Sequence, residues 1–257
     1  MEHLFSAEAI GALITLTFLE IVLGIDNIIF ISIAAGKLPQ ALRKKATNIG
    51  LVLAMVLRIA LLFGITALTA MQKPWFEFSN SWITSHVTGQ SLILIAGGLF
   101  LLYKSTKEIH EKVDHKGHEE ETVKEHRKNS LTNAIIQITM INIVFSFDSI
   151  LTAVGMTNGL HGALYIMILA VVLSVIIMML FATPVGDFVN KHPSIQILGL
   201  SFLILIGFML IVEGAHLSET VIFNQHIGTV PKGYLYFAIS FSLLVEFLNM
   251  KMRKNKV

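Results

Sequence analysis

The sequence predicts an all-α membrane protein of seven transmembrane helices, arranged as two inverted three-helix repeats plus one extra helix. Three observations carry that prediction. The 257 residues are 54% hydrophobic and only 14% charged, with a mean hydropathy of +0.72, a balance unsuited to a soluble globular domain. Apolar residues gather into long runs bounded by charged or turn-forming clusters. Two of these runs carry a similar polar insertion, LEIVLGIDNIIFIS at residues 19 to 32 and INIVFSFDSILTAV at residues 141 to 154.

A helix needs about 20 mostly apolar residues to cross the hydrocarbon core of a bilayer. By that measure the spans lie near residues 10–35, 47–71, 90–103, 131–157, 162–182, 194–213 and 233–249, the third being the shortest. No Lys or Arg precedes residue 37, so the start lacks the basic region of a cleaved signal peptide, and the first span is expected to stay as an anchor. The loops assign the sides. Lys37, Arg43, Lys44 and Lys45 follow span one; Lys104, Lys107, Lys112, Lys116, Lys124, Arg127 and Lys128 follow span three; Lys191 follows span five. Lys251, Arg253, Lys254 and Lys256 follow span seven, whereas the opposite side has only Lys73 and Lys232, and Arg58 falls inside span two. The positive-inside rule then puts the N-terminus outside and the C-terminus in the cytoplasm of a multi-pass cell-membrane protein.

Aligning the chain on Asp26 and Asp148 superposes EIVLGIDNI on NIVFSFDSI, and LVLAMVLRIALLF from Leu51 falls over LAVVLSVIIMMLF from Leu169 with a four-residue shift. Three spans per half is an odd number, so the second half enters the membrane from the other side. Many secondary transporters share this pattern, with their sites near the midplane where the halves meet. The expected organisation is a first membrane repeat over 1–104, a cytoplasmic linker over 105–130, and a second repeat with the final helix over 131–257.

An ionised acid at a helix centre costs roughly 2.5 to 3.5 kcal/mol to insert, and such residues face a bundle interior or an aqueous cavity. Glu20 and Asn27 are seven residues apart and share a helix face, as do Asn142 and Ser149, while each Asp lies about 100° round. Local unwinding at Gly24 would bring the Asp toward its neighbours and free backbone carbonyls. In depth, Glu20 is expected nearer Asp148, and Asn142 nearer Asp26. All these groups offer oxygen, which suits Mg²⁺, Ca²⁺ or Mn²⁺; the absence of Cys, and of any His deep in a span, argues against a soft-metal site. The blander readings are that Asn142 and Ser149 hydrogen-bond neighbouring helices and that Glu20 pairs with Arg58.

At LGIDN and FSFDS, and again at GGLFLLYKSTKEIHE from Gly97, the sequence resembles the TerC family of integral membrane proteins, named for tellurium resistance. The resemblance covers nearly the whole chain. It implies a transporter related to the LysE group, and an association with manganese efflux. Carried onto matching positions, it implies Glu20, Asp26, Asn27, Asp148 and Ser149 as ion-binding residues, with Asn142 standing at the repeat position of Glu20. The expected function is secondary export of a divalent cation, Mn²⁺ foremost, with no permanently bound cofactor, no enzymatic activity and no nucleic-acid partner. The expected partners are the cation and membrane lipid, with the oligomeric state open.

Two other classes stay open: a non-transporting membrane assembly or binding protein, and an intramembrane aspartyl protease. Neither GID nor SFD has the GxGD setting of the latter. A retinal protein would need a Lys in the middle of its last span, and 233–249 has none. No Walker motif is present, so transport would draw on an ion gradient. The linker mixes acids, bases and four His, and is expected to be a solvated loop, although His110, Asp114, His115, His118 and His126 could sense a metal. Glu213 and Glu246 fall near the ends of spans six and seven. Trp75, Phe76 and Trp82 occupy the outer loop after span two, suited to the membrane interface.

Overall fold

The computed structural model covers residues 6–64, 70–80, 82–114, 131–157, 159–160 and 162–254, with the side chains of Leu23, Ile25, Asp26 and Asp148 left undescribed. Seven long helices stand among the described residues. They are α1 (Ala7–Gly36), α2 (Gln40–Phe63), α3 (Gly89–Asp114), α4 (Leu131–Thr157), α5 (Ala163–Lys191), α6 (Pro193–Leu217) and α7 (Lys232–Lys254). Between α2 and α3 lie strands β1 (Pro74–Ser79) and β2 (Ile83–Thr88), and between α6 and α7 lie β3 (Val221–Ile222) and β4 (Gln225–His226).

Local chemistry explains the helix ends. Ser6 caps α1 by accepting the Ala9 N–H at 3.2 Å, satisfying a donor with no partner inside the helix. Pro39, which cannot extend a helix backward, separates α1 from α2. Helix α2 starts earlier than its apolar run, taking in Arg43 to Lys45, and is capped at Gly64, whose N–H closes on Ala60 O; of the rest of the expected 47–71 span, residues 65–69 lie outside those described. Helix α5 continues through Pro184 to Lys191, well beyond the residue 182 at which the apolar run ends.

Among the described residues, six helices are long and apolar enough to cross a membrane. Helix α3 is the other. At 26 residues it is long enough, but its apolar stretch gives way at Lys104 to Lys107, Glu108, Glu111 and Lys112. The linker expected from residue 105 is therefore helical as far as Asp114.

The helices fall into two compact units that do not follow the sequence halves. Unit one holds α1, α2, α4 and α5 as far as Asn190; unit two holds α3, α6, α7 and the strands. In unit one, Leu16, Phe30, Ile31, Leu51, Ile138, Ile141 and Ile150 form a buried core. Ala35 of α1 meets Ala134 near the start of α4, with Leu38 and Ala46 beside them. Gly24 does not unwind α1, which runs unbroken through it; a Cβ there would lie 2.3 Å from the Met178 sulfur of α5. The missing side chain makes room for a thioether, so this glycine serves close packing and frees no carbonyls.

In unit two, α3 and α6 run antiparallel along their whole length. Ser91 and Ile95 pack against Gly214, Gly98 against Gly207, and Lys112 Nζ donates to Gln196 Oε1 at 2.5 Å. A Cβ on Gly98 would lie 2.4 Å from Gly207 O, so the two backbones touch where neither residue has a side chain. The loop expected after span two contains instead half of a four-stranded antiparallel sheet in the order β1-β2-β3-β4. Its register puts Phe76, Phe78, Ile83, Val87 and Ile222 on one face and Glu77, Ser79, Thr84 and His86 on the other. Trp82 and Phe223 pair at its edge with ring centroids 6.0 Å apart, and Trp75, Phe76 and Trp82 are all exposed.

Candidate functional site

Glu20 lies in the middle of α1, flanked by Leu19 and Ile21, and is only 3% exposed. Its carboxylate pairs with the guanidinium of Arg58, the single basic residue in the apolar part of α2. Arg58 Nε also donates to Ser146 Oγ of α4 at 3.2 Å. Ser149 stands beside the Glu20 carboxylate, and its hydroxyl donates to Ser146 O at 3.2 Å. One acid, one base and two hydroxyls thus join α1, α2 and α4. An ion pair taken out of water loses hydration worth several kcal/mol per ion, so such a pair endures only with close geometry and further hydrogen bonds. Arg58 has both.

The α1–α4 contact fixes which residues share a depth. Glu20 meets Ser149 at one level and Ala35 meets Ala134 at another, so the helices are antiparallel. Asn27 consequently stands level with Asn142, about 10 Å along the axis from Glu20 at 1.5 Å per residue. Asn27 is 3% exposed, and its Oδ1 has no hydrogen-bond partner among the described residues. A buried amide oxygen without a donor is costly and calls for a ligand or water. Asn142 is also buried and its Nδ2 donates to Ile138 O at 2.8 Å, which leaves its oxygen able to accept. Asp26 and Asp148 are carried by α1 and α4 next to Asn27 and Ser149, and their side chains lie outside those described. No three His, Cys, Asp or Glu among the described residues stand close enough together to hold a metal.

The structure thus brings Glu20 and Ser149 together and aligns Asn27 with Asn142, while the side chains of Asp148 and Asp26, which the depth argument paired with Glu20 and Asn142, lie outside those described. Of the blander readings, the Glu20–Arg58 pair is present, whereas the bonds from Asn142 Nδ2 and the Ser149 hydroxyl go to backbone of their own helix and not to a neighbouring one. Ser146 is a site neighbour that sequence reasoning missed. It stands three residues before Ser149 within the FSFDS motif, so helical spacing could have pointed to it.

Farther along α1, Ser32, Arg43, Lys44, Thr47, Asp187 and Asn190 line a cavity of about 30 Å³, sufficient for water. The remaining candidates are peripheral. His110 and Asp114 form an exposed 3.0 Å pair at the end of α3, while His115, His118 and His126 lie outside the described residues. Glu213 and Glu246 are half-buried on α6 and α7.

Apolar helices in this number, with ionisable or amide groups buried on α1, α2 and α4 among others, define a multi-pass helical membrane protein. A model of the integral membrane protein TerC family matches residues 5–256, and the chain belongs to that family. It is 48% identical over 243 residues to the UPF0053 inner membrane protein YgdQ of Escherichia coli (strain K12), covering 95% of this chain and 93% of that one. A UPF0053 protein of Haemophilus influenzae is 44% identical over 253 residues, 98% of each chain. The UPF0053 inner membrane protein YoaE of Escherichia coli (strain K12) is 42% identical over 258 residues, 99% of this chain but 45% of YoaE. No solved structure matches.

Proposed function

We propose that this protein is a secondary carrier that exports a hard divalent cation, Mn²⁺ foremost, across the inner membrane, binding it with oxygen atoms of α1 and α4. The observation that carries the reading is the Oδ1 of buried Asn27, which has no hydrogen-bond partner among the described residues, on the helix that also buries Glu20 and level with Asn142 of the antiparallel α4. Asp26 and Asp148 complete the proposed set from their neighbouring positions. Carboxylate, amide and hydroxyl oxygens are the ligands that Mn²⁺, Mg²⁺ and Ca²⁺ take up when they shed water.

Three features of the fold support the carrier architecture. Unit one joins α1 and α2 of the first half with α4 and α5 of the second, α1 packing on α4, and unit two joins α3 with α6, the pairings that inverted repeats would make. Helix α3 accompanies α6 from end to end, which favours a seventh crossing: its charged half would lie toward the cytoplasmic end, and its glycines are covered by α6. The sheet joins the α2–α3 and α6–α7 connections, which seven spans would place together on the outer side. There the exposed aromatic residues suit the headgroup level. The cavity beside Ser32 and Asp187 would then be the cytoplasmic approach to the site.

The test is ion flux through the purified protein in liposomes, compared across Mn²⁺, Mg²⁺, Ca²⁺ and Zn²⁺. Flux that is greatest for Mn²⁺ and negligible for Zn²⁺ is expected. Absence of flux for every cation, from protein shown to be folded, would remove the carrier reading and leave a binding or assembly role.

A further inference from the structure

Glu20 and Arg58 are the most deeply buried ion pair among the described residues, with side chains 4% and 8% exposed. It bridges two consecutive helices. Arg58 holds a third through Ser146, so its guanidinium is positioned by α4 as well as by the acid it covers. The repeat alignment adds a second, independent observation. Asn142 stands where the first half has Glu20, and Ile176 of LAVVLSVIIMMLF stands where the first half has Arg58. The acid and the base are thus both present in one half and both missing from the other. A buried carboxylate alone would be an unbalanced charge, and so would the arginine; together they add no net charge to the membrane.

A divalent cation arriving beside Glu20 meets a guanidinium already on that carboxylate. The two cations compete for the same oxygen lone pairs and repel each other in surroundings that screen poorly. We propose that Arg58 is a tethered cation: it occupies the Glu20 end of the transport site in the empty carrier, gives way when the transported ion binds, and returns when the ion leaves. This rests on the function proposed above. Arginine suits the task because its charge is permanent and its planar donors can hold a carboxylate and a hydroxyl at once. The empty carrier then has no bare carboxylate at this position, and its return step carries a satisfied pair.

The experiment measures Mn²⁺ binding by titration calorimetry, melting temperature and liposome flux for wild type, Arg58→Met, Arg58→Lys, Glu20→Gln and the Glu20→Gln/Arg58→Met double variant. With its competitor removed, Arg58→Met should bind Mn²⁺ at least about tenfold more tightly, a change easily read as a shift in Kd. Its flux should fall, because nothing displaces the ion. Arg58→Lys should fall between the two, and the gain in affinity should vanish in the Glu20→Gln background. Unchanged or weaker binding by folded Arg58→Met would show that Arg58 only holds Glu20 in place, and would overturn the proposal. Should Arg58→Met fail to fold, the wild type decides: infrared difference spectra with guanidino-labelled arginine should show a Mn²⁺-induced shift that Arg58→Lys lacks, and no such shift overturns the idea. Wild type that neither binds nor carries Mn²⁺ would instead remove the carrier function itself.

Discussion

At the scale of single residues, the acids of this protein separate into two kinds. Glu20 has a visible partner, so neutralising it strands Arg58. The Glu20→Gln variant is expected to lose about 3 to 5 kcal/mol of stability, the usual result of leaving a buried charge unpaired. Adding Arg58→Met should restore most of it, a coupling that a double-mutant cycle on melting curves would reveal. Additive losses would mean that the pair contributes little. Asp26 and Asp148 are assigned to the transported ion, and Asp26→Asn and Asp148→Asn keep volume and hydrogen-bonding capacity while removing the charge that offsets ion dehydration. Both should abolish flux with melting temperatures close to wild type, and wild-type flux in folded Asp26→Asn protein would sink the proposed site. The Glu20–Arg58 pair itself was open to a reader of the sequence only as one of several partnerships. Helical spacing shows which residues share a face, but not which neighbouring helix that face meets.

At the scale of helices and strands, α3 is where composition and structure diverge most. Its apolar run is interrupted by Gly97 and Gly98 and ends at Lys104, so by composition it falls short of a span. Packed on α6 with backbones touching at Gly98 and Gly207, it needs less apolar surface than a helix surrounded by lipid. The chain has no Cys, so single cysteines can report its crossing cleanly. Lys107→Cys should react with an impermeant maleimide only from the cytoplasmic side and Ser85→Cys only from outside. Labelling of both from one side would mean that α3 does not cross. The other six long helices were legible because some twenty apolar residues in a row leave few alternatives. The sheet was not, since six-residue stretches such as PWFEFS and ITSHVT read equally well as polar-apolar loop until a partner strand supplies the register. Helix ends were legible where a Pro or Gly marks them, as at Pro39, and illegible where the helix runs on beyond its apolar part, as α3 and α5 both do.

At the scale of the whole molecule, an exporter of Mn²⁺ predicts a particular cellular phenotype. Cells lacking the protein and any relative with the same activity should accumulate manganese under manganese load and grow poorly there, while a plasmid copy should reverse both effects. Intracellular manganese measured by mass spectrometry checks this, and Asp148→Asn should fail to complement. Normal manganese content in the deletion strain would speak against export. The proposed set of oxygen ligands is spread over α1 and α4, one helix from each half of the sequence, so on that proposal neither half alone should bind the ion.

The Glu20–Arg58 bond also bears on biosynthesis. Its members are borne by adjacent helices, and each, released singly into lipid, carries an insertion penalty of roughly 2.5 to 3.5 kcal/mol. If α1 and α2 leave the translocon as a hairpin, the charges neutralise each other before meeting hydrocarbon, and the penalty is largely avoided. In a glycosylation-reporter assay, α2 should therefore insert more completely behind an α1 that carries Glu20 than behind one with Glu20→Lys. Equal insertion would show that the pair forms only after both helices are already in the bilayer. The order in which ribosomes deliver the two residues, acid first and base thirty-eight positions later, would then be part of how this membrane protein tolerates a charge in the middle of its first helix.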